Sequence, residues 1–219
     1  MKWCYLLPTI LIAFSSFCQG NVSGSVERSA GDTTKVHSLI RLGKDFQWKD
    51  SYQSFDYADQ ALMLARNLDH QKGIAISSNL KAFCYWSFGD NDLAIQSALE
   101  ALEIGIAEND KVIQAESCYI LARGYSDLNE PRKSNEYIVK AANLARQGNN
   151  WEQLCSIYNL MGVIKFMDNE KDSALNYYNK AFEIGKTHAV APINFPRIIS
   201  NIGACYAVDS PALALTHFN

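Results

Sequence analysis

The 219-residue sequence has no run of five basic residues, and its formal net charge is −3. Phosphate backbones are bound by clustered Lys and Arg, so nucleic acid is excluded as the main partner. No phosphate-binding loop, nucleophile elbow, zinc motif or dinucleotide fingerprint occurs. The histidines, His37, His70, His188 and His217, are scattered without a carboxylate or cysteine at ligand spacing and read as solvated or capping residues. Acidic residues such as Glu100, Glu103 and Asp110 read as solvated helix faces or termini. No catalytic residue, metal site or cofactor is therefore assigned. An enzymatic activity would need a catalytic domain outside this stretch.

What is present begins with a leader. In residues 1–20, MKWCYLLPTILIAFSSFCQG, Lys2 supplies a short positive end, Trp3 to Phe17 an apolar run, and Cys18-Gln19-Gly20 a small-x-small cleavage site. The run is too short to cross a bilayer comfortably. Cleavage after Gly20 is expected, which makes the chain exported, either periplasmic or secreted. Lipidation at Cys18 is the lesser reading, because Phe17 stands where lipoprotein signals need a small residue. Residues 21–34, NVSGSVERSAGDTT, lack apolar periodicity and are expected to form a flexible linker, with Asn21-Val22-Ser23 a weak glycosylation match.

From residue 35 onward one pattern recurs. The stretch from Ala115 to Ala145 places Leu121, Ala122 and Tyr125 on one helical face and turns at Asn129-Glu130-Pro131. A second helix follows, marked by Ser134, Tyr137, Ile138, Ala141 and Ala142. Shifts of 40 residues align Ser54, Ala94, Ser134, Ala174 and Ala214, and likewise Ala61, Ala101, Ala141 and Ala181. A fixed period of this size predicts an all-α, right-handed solenoid of antiparallel helix pairs. About four and a half repeats fit, at 35–68, 73–108, 111–148, 151–188 and an incomplete 195–219.

Pro192 and Pro196 confine the fifth repeat's first helix to about Phe195 or later. The sequence stops at Asn219 before that repeat's second helix is complete, which predicts a fragment of a longer protein or a natural truncation. Outside the leader, Cys84, Cys118, Cys155 and Cys205 form no C-x-x-C pair and fall at or near small-residue positions of first helices. Buried small hydrophobes are expected there, rather than disulfides or metal ligands.

The Gly-Tyr spacing of the first helices and the Ala-aromatic-Ala spacing of the second resemble the tetratricopeptide repeat. The best copies are Leu121-Ala122-x-x-Tyr125 with Ser134, Ile138 and Ala141, and Met161-Gly162 with Ala174, Tyr178 and Ala181. The unit here is 40 residues against about 34 in the family. Long repeats of this style are similar to those in exported N-terminal regions of bacterial sensor histidine kinases and regulators, where a membrane helix and an output domain follow.

In that family the first helices line the inner face of the superhelix. The corresponding positions are Asn79, Phe83 and Trp86, then Tyr119, Arg123 and Asp127, then Asn159, Val163 and Phe166. Aromatics supply buried area and Asn can bond both backbone groups, so such a groove suits an extended peptide. Phe83, Trp86 and Phe166 fit equally well as packing residues inside long helices. With a single arginine, the set lacks the basic pattern that clamps a C-terminal carboxylate. The resemblance implies a non-catalytic module with a protein or peptide partner, as the sensory or scaffolding part of a signalling protein. The alternative is a free-standing secreted adaptor. A membrane tether beyond Asn219 and self-association through the uncapped C-terminal edge are both compatible with the sequence.

Overall fold

The computed structural model describes residues 22–188 and 195–207, with side chains from Asp32 onward. The expected leader (1–20), the stop at Pro192 and the second helix of the fifth repeat, with Ala214 and His217, lie outside the described residues. Helices follow one another as α1 (Val22–Phe46), α2 (Ser51–Asn67), α3 (Gln71–Phe88), α4 (Asn91–Ala107) and α5 (Lys111–Asp127). They continue as α6 (Pro131–Gln147), α7 (Trp151–Met167), α8 (Lys171–Thr187) and α9 (Phe195–Ala207). Among the described residues there is no strand, and no helix is long and apolar enough to cross a membrane.

One expectation is corrected at the start. The stretch taken as a linker, 21–34, is helical from Val22 onward and continues without a break into the packed part of α1. No proline interrupts it, and Val36 and Ile40 further along the same helix are buried, anchoring its C-terminal half.

The six connections from α2 to α8 are the same device. Asp69, Gly89, Asn109, Asn129, Asn149 and Asn169 take φ between 51° and 86°, one every 20 residues. Asn, Asp and Gly are the residues that tolerate this left-handed conformation. The next residue's N–H then reaches back to a carbonyl five residues earlier: His70 to Ala65, Asp90 to Tyr85, Asp110 to Gly105, Glu130 to Tyr125, Asn150 to Ala145 and Glu170 to Lys165, all at 2.8–2.9 Å. These bonds satisfy carbonyls that a helix end leaves orphaned. The same residue then starts the next helix. Asp110 accepts from the Val112 and Ile113 amides at 3.0 and 3.1 Å, Asn150 accepts from Gln153 at 3.1 Å, and Pro131 opens α6 where no N–H is needed.

Small residues let the helices approach. Ser54, Ala94, Ser134 and Ala174 are buried at 1% exposure or less, as are Ala61, Ala101, Ala141 and Ala181. The two serines of the first set donate to first-helix carbonyls, Ser54 to Gly43 at 2.8 Å and Ser134 to Ala122 at 2.9 Å. A hydroxyl is thus accommodated at a position where alanine serves in the neighbouring repeats. Cys84, Cys118, Cys155 and Cys205 are free thiols, all buried, as expected. The α9 helix begins at Phe195.

Candidate functional site: the inner face

Besides chain neighbours, the helices that pack together are α1 with α3, α3 with α5, α5 with α7 and α7 with α9. The odd-numbered row is therefore the compressed, inner side of the curve, and its side chains converge there. Arg123 of α5 lies at the centre. Its guanidinium carbon stands 3.5 Å from the Trp86 ring centroid, and its Nη1 donates to the Tyr119 hydroxyl at 2.7 Å. A cation flat against an indole gains from the ring's negative face, most where water is partly excluded. Trp86 in turn donates its Nε1–H to Asp127 Oδ2 at 2.7 Å, tying α3 to the last turn of α5.

Two further side chains come from opposite ends of the chain. Trp48, in the connection after α1, meets the Phe83 ring edge-on at 4.6 Å between centroids. Arg197 of α9 lies with its guanidinium carbon 4.1 Å from the Trp48 ring centroid. Burial lowers the pKa of Arg197; nearby Tyr119 opposes this and the like charge of Arg123 adds to it. Beside these rings opens a cleft of about 410 Å³, with Trp48, Phe83, Tyr119, Asn150, Gln153 and Ser156 among its walls. At its edge Lys44 reaches Glu116 at 3.9 Å.

The residues expected to form the groove divide. Trp86, Tyr119, Arg123 and Asp127 come together as one network. Asn79 does not join it and is corrected to a packing residue. It is fully buried between α3 and α5, donating to the Ile113 carbonyl at 3.3 Å and accepting from the Ser117 hydroxyl at 2.9 Å. Phe83, at 2% exposure, is likewise a core residue, although its ring edge backs the site. Asn159 lies further along the inner face, where its Oδ1 accepts from Asn201 of α9 at 2.9 Å. Phe166 is 37% exposed near the end of α7, away from the aromatic cluster.

Trp48, Arg197 and Asn201 were not among the sequence candidates. Trp48 belongs to a connection, which face-counting along helices passes over. Arg197 was hidden by a slip of register. Gly203 takes the place of Ala122 and Gly162 but stands 41 residues after Gly162, so Arg197 corresponds to the cleft residues Glu116 and Ser156. Among the described residues no cluster of His, Cys, Asp and Glu is arranged to hold a metal ion.

No family model matches the chain. It is 33% identical over 141 residues to the regulatory protein RapK of Bacillus subtilis (strain 168), a match covering 62% of this chain and 36% of RapK. The chain thus spans little more than a third of that relative's length. In structure it is similar to a Rap protein solved in complex with competence and sporulation factor, with a TM-score of 0.74 and 16% identity over 84% of this chain and 52% of that one. It is also similar to the TPR-like repeats of a putative kinesin light chain from Podosopora anserina, with a TM-score of 0.57 and 11% identity over 83% of this chain and 90% of that one. The fold is a tetratricopeptide-like helical solenoid.

Proposed function

We propose that the chain is a non-catalytic binding module that holds an extended peptide or protein segment on its inner face, in the exported sensory or scaffolding region of a bacterial signalling protein. The observation that carries this reading is the Trp86, Arg123, Tyr119 and Asp127 network on the odd helices. Planar groups such as the half-buried Trp86 and Arg123 supply contact area at low entropic cost, which is why Trp, Tyr and Arg dominate binding hot spots. The cleft beside it is of a size for a few residues of peptide. The likeness to a regulatory protein, and to a Rap protein solved in complex with competence and sporulation factor, supports a regulatory role. The leader-like residues 1–20 support export.

The test is panning of the purified chain against a randomised peptide library, with calorimetry on the retained peptides. Binding weakened by Trp86→Ala and Arg123→Ala at nearly unchanged melting temperature supports the reading. Severe loss of thermal stability in both variants would reassign these residues to packing and remove the site. Fractionation of cells carrying the chain fused to a reporter tests export: a reporter retained in the cytoplasm sinks that part.

A further inference from the structure

Arg123 and Arg197 bring two guanidinium groups to one place, and among the described residues neither has an ion pair. Two carboxylates on the same helix as Arg123 are engaged elsewhere, Asp127 by the Trp86 indole and Glu116 by Lys44, while Asp45 and Glu152 line the cleft. Each arginine lies against an indole, Arg123 on Trp86 and Arg197 on Trp48. Neither indole contact is a hydrogen bond, so neither uses up an acceptor-seeking N–H in the way an ion pair would. A guanidinium carries five N–H donors, of which one bond is accounted for here, that from Arg123 to Tyr119. Two like charges partly withdrawn from water repel one another, and an anion between them would convert that repulsion into two charge-assisted contacts.

We propose that Arg123 and Arg197 together receive the side-chain carboxylate of an Asp or Glu in the bound peptide. This rests on the inner face being the peptide site. A planar carboxylate matches the forked edge of a guanidinium, and the rings of Trp48, Trp86 and Tyr119 would wall the pair from water. The anion is assigned to a side chain because the inner face runs on past the pair in both directions. On one side lies the cleft walled by Trp48, Phe83 and Tyr119, and on the other the Asn159 and Asn201 amides. A chain laid along that face passes the arginines rather than ending at them.

The experiment pans a randomised heptapeptide library, made in free-acid and C-terminally amidated forms, against the wild-type chain, Arg123→Gln, Arg197→Gln and Arg197→Lys. Asp or Glu is expected to be enriched at one position in both library forms. Affinity for the selected peptides should fall by about tenfold or more in each Gln variant, the worth of a charged hydrogen bond. Arg197→Lys should fall in between, since an ammonium keeps the charge and loses the fork. Circular dichroism of each variant checks that the fold is intact. Peptides without acidic enrichment, or held equally by Arg197→Gln, overturn the carboxylate site and leave the peptide-binding reading standing. Binding that requires the free C-terminus overturns the side-chain assignment. Displacement by inorganic phosphate with none by acetate overturns the carboxylate in favour of a phosphoryl group. If the wild-type chain retains no peptide, both readings fall.

Discussion

A β-carbon built on Gly162 of α7 presses against the ring of Tyr178 on α8, 2.5 Å from Cδ1 and 2.9 Å from Cζ. Tyr178 is 2% exposed, so its ring has no free direction in which to retreat. Gly162→Ala should therefore destabilise the chain by about 1 to 3 kcal/mol, the usual cost of overpacking, despite the helix propensity that alanine gains. Gly124 makes the control: there the β-carbon meets Ile95 Cγ1 at 3.0 Å and Cδ1 at 3.4 Å, a tight contact that a few tenths of an ångström relieve. Urea unfolding of the two variants should separate them clearly. Equal midpoints would contradict the packing described.

The left-handed residue in the six connections from α2 to α8 predicts a second, independent series. Asn109 has φ 52°, so Asn109→Ala, which keeps the β-carbon but loses the short polar side chain that eases this conformation, should cost about 1 kcal/mol, and Asn109→Gly, which removes the β-carbon, should cost less. Gly89, at φ 86° with nothing within 4 Å of a built β-carbon, is the complementary case. Gly89→Ala should destabilise without any steric contact. Thermal unfolding measures all three.

Burial pushes the Cys118 and Cys155 thiols up to about 11, from an ordinary 9.0. Above pH 9 the unfolded chain loses these protons while the folded chain keeps them, so the unfolded state binds fewer protons and stability falls as pH rises. The stabilisation is fully present below about pH 9 and is lost as pH climbs through about 11. Cys118→Ala should flatten the alkaline limb of a melting-temperature profile. A limb of unchanged slope would assign it to other groups. At neutral pH both thiols should resist a disulfide reagent in the native chain and react on unfolding.

Ala174 is fully buried and Glu103 is exposed, although both lie on second helices. Ala174→Leu should cost on the order of 1 to 3 kcal/mol by overpacking, and Glu103→Gln should be nearly silent. Similar melting shifts would mean that the repeat register is misplaced.

Much of the architecture can be read from spacing because a solenoid repeats its constraints. The alternation Ser54, Ala94, Ser134, Ala174 marks one close approach four times over, which no single helix could have revealed. Trp86, Tyr119, Arg123 and Asp127 were legible for a related reason: they fall on the face left over once the small residues are turned to their neighbours. Asn79 misled because a polar residue on that face was expected to seek the partner, whereas Ser117 across the α3 and α5 contact satisfies it internally. Trp48 and Arg197 required three dimensions. One lies in a connection, the other after a one-residue slip, and their meeting depends on the curvature summed over every repeat between them. The helical start of α1 was missed because its Gly, Ser and Thr content masks the absence of any residue that would stop a helix.

The contact between Trp48 and Arg197 alters how this molecule handles strain. In an open solenoid each repeat feels its neighbours, and a disturbance at one end decays along the row. A strut across the mouth makes the row a loop, in which a fractional change of twist at any one joint must be absorbed by all the others or by the strut. The strut is a single cation–π contact, worth about 0.5 to 2 kcal/mol. It is strong enough to bias the coil toward one pitch and weak enough to part without unfolding any repeat.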